Sequence, residues 1–305
     1  MNYNFIPLEK RDTDGVLYTI GHAIIWNPYS IRMDFIISHE ALRRDTVSTT
    51  IAPYYVRMGL AERVEPYPAL SVREAIAKFP DGLAYFNAGE SGMLLNPLIE
   101  DGMLLTKPQN ARAVWQKEWE PLNDTFSFFL QHIDGCVELQ SLRIVNNQIH
   151  PDDLRHVRQG TYGFSVPYIL KNGKQIRLKN PLAGETSKAN ETWYTLGAPA
   201  ALCAIGLTPT GHAVWVGLIG DVANPADWGR NGTEDDLVQY LRDFGVTDAL
   251  FAGASGDVQY YDAKSKTLAV AAERAKSEDK RWVLREGQTE RGVSLIVKLV
   301  NSQSK

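Results

Sequence analysis

Apolar positions in this chain gather into short runs and alternations, and the best ordered stretch runs from Ala213 to Tyr261. Ala213-Val-Trp-Val-Gly-Leu-Ile-Gly220 is a continuous apolar run of strand length, the pattern of a strand covered on both faces. Thr233 then has the chemistry of a helix N-cap, with Glu234, Asp235 and Asp236 in the first turn, where carboxylates meet free N–H groups and the positive end of the helix dipole. Leu237, Val238, Leu241 and Phe244 form a stripe at helical spacing, and Gly245 stands where a left-handed C-cap is wanted. Asp248-Ala-Leu-Phe-Ala252 is a second short run that breaks into Gly253-Ala-Ser-Gly256, and Val258-Gln-Tyr-Tyr261 resumes as a strand. Two strands joined by one helix predict a parallel, right-handed crossover. The glycine turn after its second strand lies at a carboxyl edge, a common place for ligands.

Elsewhere the pattern is less regular. Residues 16–26 read as a strand, 27–30 as a turn and 31–38 as the returning strand of a hairpin. Ser71 caps a short amphipathic helix to Phe79. Leu83-Ala-Tyr-Phe86 is a strand running into Asn87-Ala-Gly-Glu-Ser-Gly92, a second glycine turn that carries an amide, a carboxylate and a hydroxyl. Helical segments are expected over about 109–119 and 123–132, a strand over 137–145, and a helix start at Pro151. Gly163 to Leu170 is apolar, and Asn172-Gly173 is a strong hairpin turn. Residues 179–196 form a polar loop, long enough for a functional segment or a lid. Strands are expected at 200–207, 268–272 and 291–300. The predicted fold class is α+β: a mixed sheet with hairpins, a βαβ crossover near 213–261, and helices packed on the sheet. No linker divides the chain, so one domain over 1–305 is expected, with 107–160 as a helical insertion.

Composition narrows the partners. With 32 basic and 36 acidic residues the net charge is −4, and there is no basic stripe, which argues against nucleic acid. Cys136 and Cys203 have no metal-binding spacing, so no disulfide scaffold, metal site or cofactor is expected. No apolar run approaches the length of a membrane-spanning helix, and the first residues lack the pattern of a secretory signal; a cytoplasmic or virion-associated location is the expectation.

Several segments together resemble the phosphodiester glycosidase family. The family's Asn-Gly-Gly-Phe-Phe turn corresponds to Asn87-Ala88-Gly89-Glu90-Ser91, and its Asn-Gly-Lys hairpin to Gly163–Lys174. Its Arg-Thr-Ala-Ile-Gly strand corresponds to Leu202-Cys-Ala-Ile-Gly206, its capped helix to Thr233–Ala249, and its Asp-Gly-Gly-Gly-Ser turn to Ala252–Gly256. Order and spacing agree over about residues 16–300. The motifs themselves depart: the family acid has become Ala252 or Gly253, its arginine Leu202, and its paired Phe Glu90 and Ser91.

The resemblance implies a domain that hydrolyses a sugar phosphodiester or a related surface glycan. Such chemistry needs a proton donor, help for a water or nucleophile, and N–H groups or cations for the phosphate. Glu90, Asp221 and Asp257 are the candidate carboxylates. Asn87, Gly89, Gly253, Ser255, Gly256 and Arg230 are the candidate substrate contacts. The alternative is a non-catalytic glycan-binding or structural protein of a larger assembly, such as a phage virion or a homo-oligomer. A nucleotide-phosphate site is weaker, because the glycine turn precedes a strand and lacks a helix N-terminus.

Overall fold

The computed structural model describes residues 3–37, 70–88, 97–105, 123–176, 201–223, 230–254, 258–271, 293 and 295–302. The N-terminal part holds β1 (Tyr3–Arg11), β2 (Leu17–Trp26), β3 (Ile31–Ile37), helix α1 (Val72–Lys78) and β4 (Ala84–Asn87). Next come β5 (Leu98–Glu100), β6 (Met103–Leu105), β7 (Asp124–Gln131), β8 (Val137–Val145), β9 (Gln148–Ile149) and a 3-10 helix (Pro151–His156). They are followed by β10 (Tyr162–Ser165), β11 (Tyr168–Lys171), β12 (Lys174–Gln175), β13 (Leu202–Leu207) and β14 (Ala213–Leu218). Helix α2 (Glu234–Asp243), β15 (Asp248–Ala254), β16 (Gln259–Asp262), β17 (Thr267–Val270) and β18 (Leu295–Asn301) complete the chain.

These strands make three sheets that together form a near-barrel. The seven-stranded sheet runs β1-β2-β14-β13-β15-β11-β12, the six-stranded β6-β5-β10-β7-β8-β9, and the five-stranded β17-β16-β4-β18-β3. One core lies between them, built from inward residues of all three, including Trp26, Met33, Phe86, Phe129, Trp215 and Tyr260. The reason is the two-residue period of a strand. On β14, Ala213 and Trp215 face this shared core, whereas Val214, Val216 and Leu218 face the other side. There α2 lays down Leu237, Val238 and Leu241, each worth roughly 1.5–3 kcal/mol when fully buried. On the five-stranded sheet, α1 covers Tyr85 and Ile296 with Val72 and Ala75.

The fold class corrects the sequence reading. Of the described residues 54% are strand and 13% helix, so the protein is mainly β rather than α+β. The helical crossover between β14 and β15 exists, but β13 lies between the two strands and pairs antiparallel with both. A helix feeding back over the sheet therefore does not make a parallel pair here. Residues 16–38 are not a hairpin: β2 pairs with β1 and β14, and β3 pairs with β18 in another sheet. Asn27 turns the chain between sheets, its carbonyl accepting from the N–H groups of Ser30 and Ile31. Residues 124–131 are a strand, not a helix, with Phe126, Phe128 and Leu130 on one face and Phe129 on the other. The apolar run from Gly163 splits at Val166-Pro167 into two strands of different sheets. The expected helix 109–119 and the loop 179–196 lie outside the described residues.

Candidate functional site

Two strands of different sheets, β4 and β15, end at one corner, and each is followed in the sequence by one of the glycine-rich segments singled out above. The end of β15 is shaped by a bulge. Cys203 pairs with Gly253 and Ala204 with Phe251, which leaves Ala252 as the extra residue. Gly253 adopts φ 149°, a backbone region that side-chain-bearing residues rarely enter. The bulge has a second consequence: Ala252 faces the shared core, and two residues later Ala254 faces α2.

Asn87, the last residue of β4, reaches across this corner and is fully buried. Its Nδ2 donates to the carbonyl of Ala252 and to Sγ of Cys203, each at 3.4 Å. Its Oδ1 accepts from the backbone N–H of Gln259 at 3.1 Å. The amide thus touches both flanks of the segment between β15 and β16. Of the predicted site residues, Asn87 and Gly253 are brought together here. Gly89, Glu90, Ser255, Gly256 and Asp257 lie outside the described residues.

Asp221 and Arg230 meet elsewhere. Arg230 Nη1 donates to Asp221 Oδ2 at 2.7 Å, and its Nη2 donates to Asp12 Oδ2 at 2.8 Å. Asp221 Oδ1 accepts from the N–H of Ala223. The guanidinium lies over the ring of Tyr18, which belongs to the cluster on the α2 side of the seven-stranded sheet. Asn87 touches Ala252 and Cys203, which belong to the shared core on the opposite side. The two pairs of predicted residues therefore stand on opposite faces of one sheet.

Sequence reasoning passed over a buried polar seam beside this core. His22 Nδ1 is 2.8 Å from Tyr260 Oη, and its imidazole stacks on Phe5 at 4.3 Å. Burial pushes the His22 pKa down to about 4, against a weaker opposing pull from Asp262. Burial also raises the Tyr260 hydroxyl. Tyr3 Oη donates to Asp262 Oδ1 at 2.8 Å, joining β1 to β16. The alternation of β2 hints that His22 faces inward, but nothing in its neighbourhood along the chain names Tyr260, 238 residues away. Among the described residues, no three His, Cys, Asp or Glu side chains form a group able to hold a metal ion. Nor is any helix there long and apolar enough to cross a membrane.

The architecture has counterparts among solved structures. The catalytic domain of zebrafish N-acetylglucosamine-1-phosphodiester alpha-N-acetylglucosaminidase, auto-inhibited by a pro-peptide, superposes with a TM-score of 0.55. The match covers 98% of this chain and 82% of that one at 14% identity. The fold is shared. A Synechocystis protein gives 0.48 at 10% identity, covering 98% of this chain and 62% of the other. An exported protein of Burkholderia pseudomallei gives 0.43 at 10% identity, with 92% and 74% covered. No family model and no curated sequence matches the chain. Likeness at this identity extends to the fold alone; chemistry has to be argued from the site.

Proposed function

We propose that the chain hydrolyses a sugar phosphodiester, with Glu90 and Asp257 as its acid and base. In that reaction the bond from the anomeric carbon to the phosphate oxygen breaks. Water gives its hydroxyl to the carbon, and the phosphate oxygen takes up a proton. One carboxyl group protonates the leaving oxygen while the other activates water or attacks the carbon. Backbone N–H groups of Gly89, Gly253, Ser255 and Gly256 are assigned to the phosphate.

The observation that carries this reading is the Asn87 amide, bonded at once to Ala252 and Gln259. It fixes the end of β4 beside the end of β15 and the start of β16; in the sequence Glu90 follows β4, and Asp257 lies between β15 and β16. The shared fold with a phosphodiester glycosidase catalytic domain supports the substrate class. Asp221 and Arg230 are engaged with each other on the opposite face, so the reading gives them no part in the chemistry.

The test is release of free sugar from a sugar phosphodiester by the wild type, Glu90→Gln and Asp257→Asn. Each substitution is expected to lower kcat by about 10²–10⁴-fold, the usual worth of a general acid or base. Turnover unchanged in both variants removes the assignment. A well-folded wild type without turnover favours binding of a glycan without cleavage. The departures at Leu202 and at Ala252 or Gly253, all buried where the family carries an arginine and an acid, are the observation behind that second reading.

A further inference from the structure

We propose that Asn87 is a positioning residue, a buried clamp that fixes the end of β4 against the end of β15 and the start of β16. The inference deepens the hydrolase reading in its effect on turnover, whereas the clamp itself is a property of the fold. Asn87 has no exposed surface, so it contributes through what it holds and not by touching a ligand. Its Nδ2 donates to Ala252 O and lies 3.4 Å from Cys203 Sγ, and its Oδ1 takes the N–H of Gln259 and lies 3.6 Å from the same sulfur. One side chain thereby links β4 and β16 of the five-stranded sheet to β13 and β15 of the seven-stranded sheet. The partners are ready-made by the fold: the bulge puts Ala252 outside the regular ladder, and Gly253 supplies the backbone angle that permits it. The constraint extends further, because Gln259 Oε1 accepts from the N–H of Val72 at 3.0 Å, the first residue of α1. An apolar side chain at position 87 would leave a buried carbonyl and a buried N–H to find other partners.

The test uses the full chain carrying Cys136→Ser, which leaves Cys203 as the sole thiol. Asn87→Ala and Asn87→Asp are compared with Thr233→Ala, a control with a stability defect on α2. Asn87→Asp keeps the size and the acceptor but lacks the donor, and it serves where the alanine variant does not fold. In the Asn87 variants, native-state labelling of Cys203 by a small thiol reagent is expected to speed up about 10-fold or more through local opening. Amide exchange is expected to rise in β4 and β15 together. On a sugar phosphodiester, kcat is expected to fall about 10–100-fold with KM within about 3-fold, the signature of misplaced groups. The control is expected to show none of this. Labelling and exchange no faster than in the control overturn the clamp, and a raised KM at unchanged kcat overturns it in favour of direct substrate contact. A wild type that cleaves no sugar phosphodiester overturns the hydrolase reading alone, since labelling and exchange then still decide the clamp.

Discussion

His22 shows what a single buried residue contributes. Its imidazole is wedged between the ring of Phe5 and the hydroxyl of Tyr260, and burial lowers its pKa from 6.5 to about 4. The folded state therefore prefers the neutral ring. The stabilisation is complete above about pH 6.5, where the unfolded chain is also neutral, and declines as pH falls toward 4, where the unfolded chain binds a proton that the folded one resists. The full shift corresponds to roughly 3 kcal/mol. Chemical denaturation of the wild type between pH 7 and pH 4 is expected to show this loss, and His22→Gln to show a shallower one. Equal slopes in the two proteins would refute the assignment. The strand that carries the histidine was legible in the sequence; its partner was not, because Tyr260 arrives from another sheet.

At the scale of the element, local chemistry is most readable where it is self-contained. Thr233 accepts from the N–H of Asp236, and the Asp236 carboxylate accepts from the N–H of Thr233, a reciprocal cap within four residues. Lys10 adds an ion pair to Asp236 at 2.7 Å. Thr233→Ala is expected to cost about 1 kcal/mol, measured as a shift in the denaturation midpoint with an unchanged slope. The Asn172-Gly173 turn is equally local, with both residues at positive φ. Residues 124–131 are the counterexample. Their aromatic and polar residues satisfy a helical reading and a strand reading alike, and pairing with β8 and β10 decides for the strand.

At the scale of the molecule, distant segments are fastened by a few polar contacts around apolar cores. The Asp12–Arg230–Asp221 cluster ties the turn after β1 to the end of β14. Asp221→Asn is expected to lower stability by about 1–3 kcal/mol, by weakening a charge-assisted bond at a buried carboxylate. It should leave kcat on a sugar phosphodiester within about 3-fold, because the Asp221–Arg230 pair stands on the sheet face opposite Asn87. A loss of turnover at unchanged stability would return Asp221 to the reacting groups. The sequence alone determined the runs that become β2, β4, β8, β13, β14 and β15, both helix caps and the hairpin turn. These depend on residues within a few positions of one another. Only the tertiary structure decided that β13 separates β14 from β15, that β2 and β3 part into different sheets, and that Asn87 reaches the Ala252 bulge. Strand pairing is made by backbone groups that every residue carries, so the order of strands leaves little trace in side-chain pattern and is settled by which faces can be buried together.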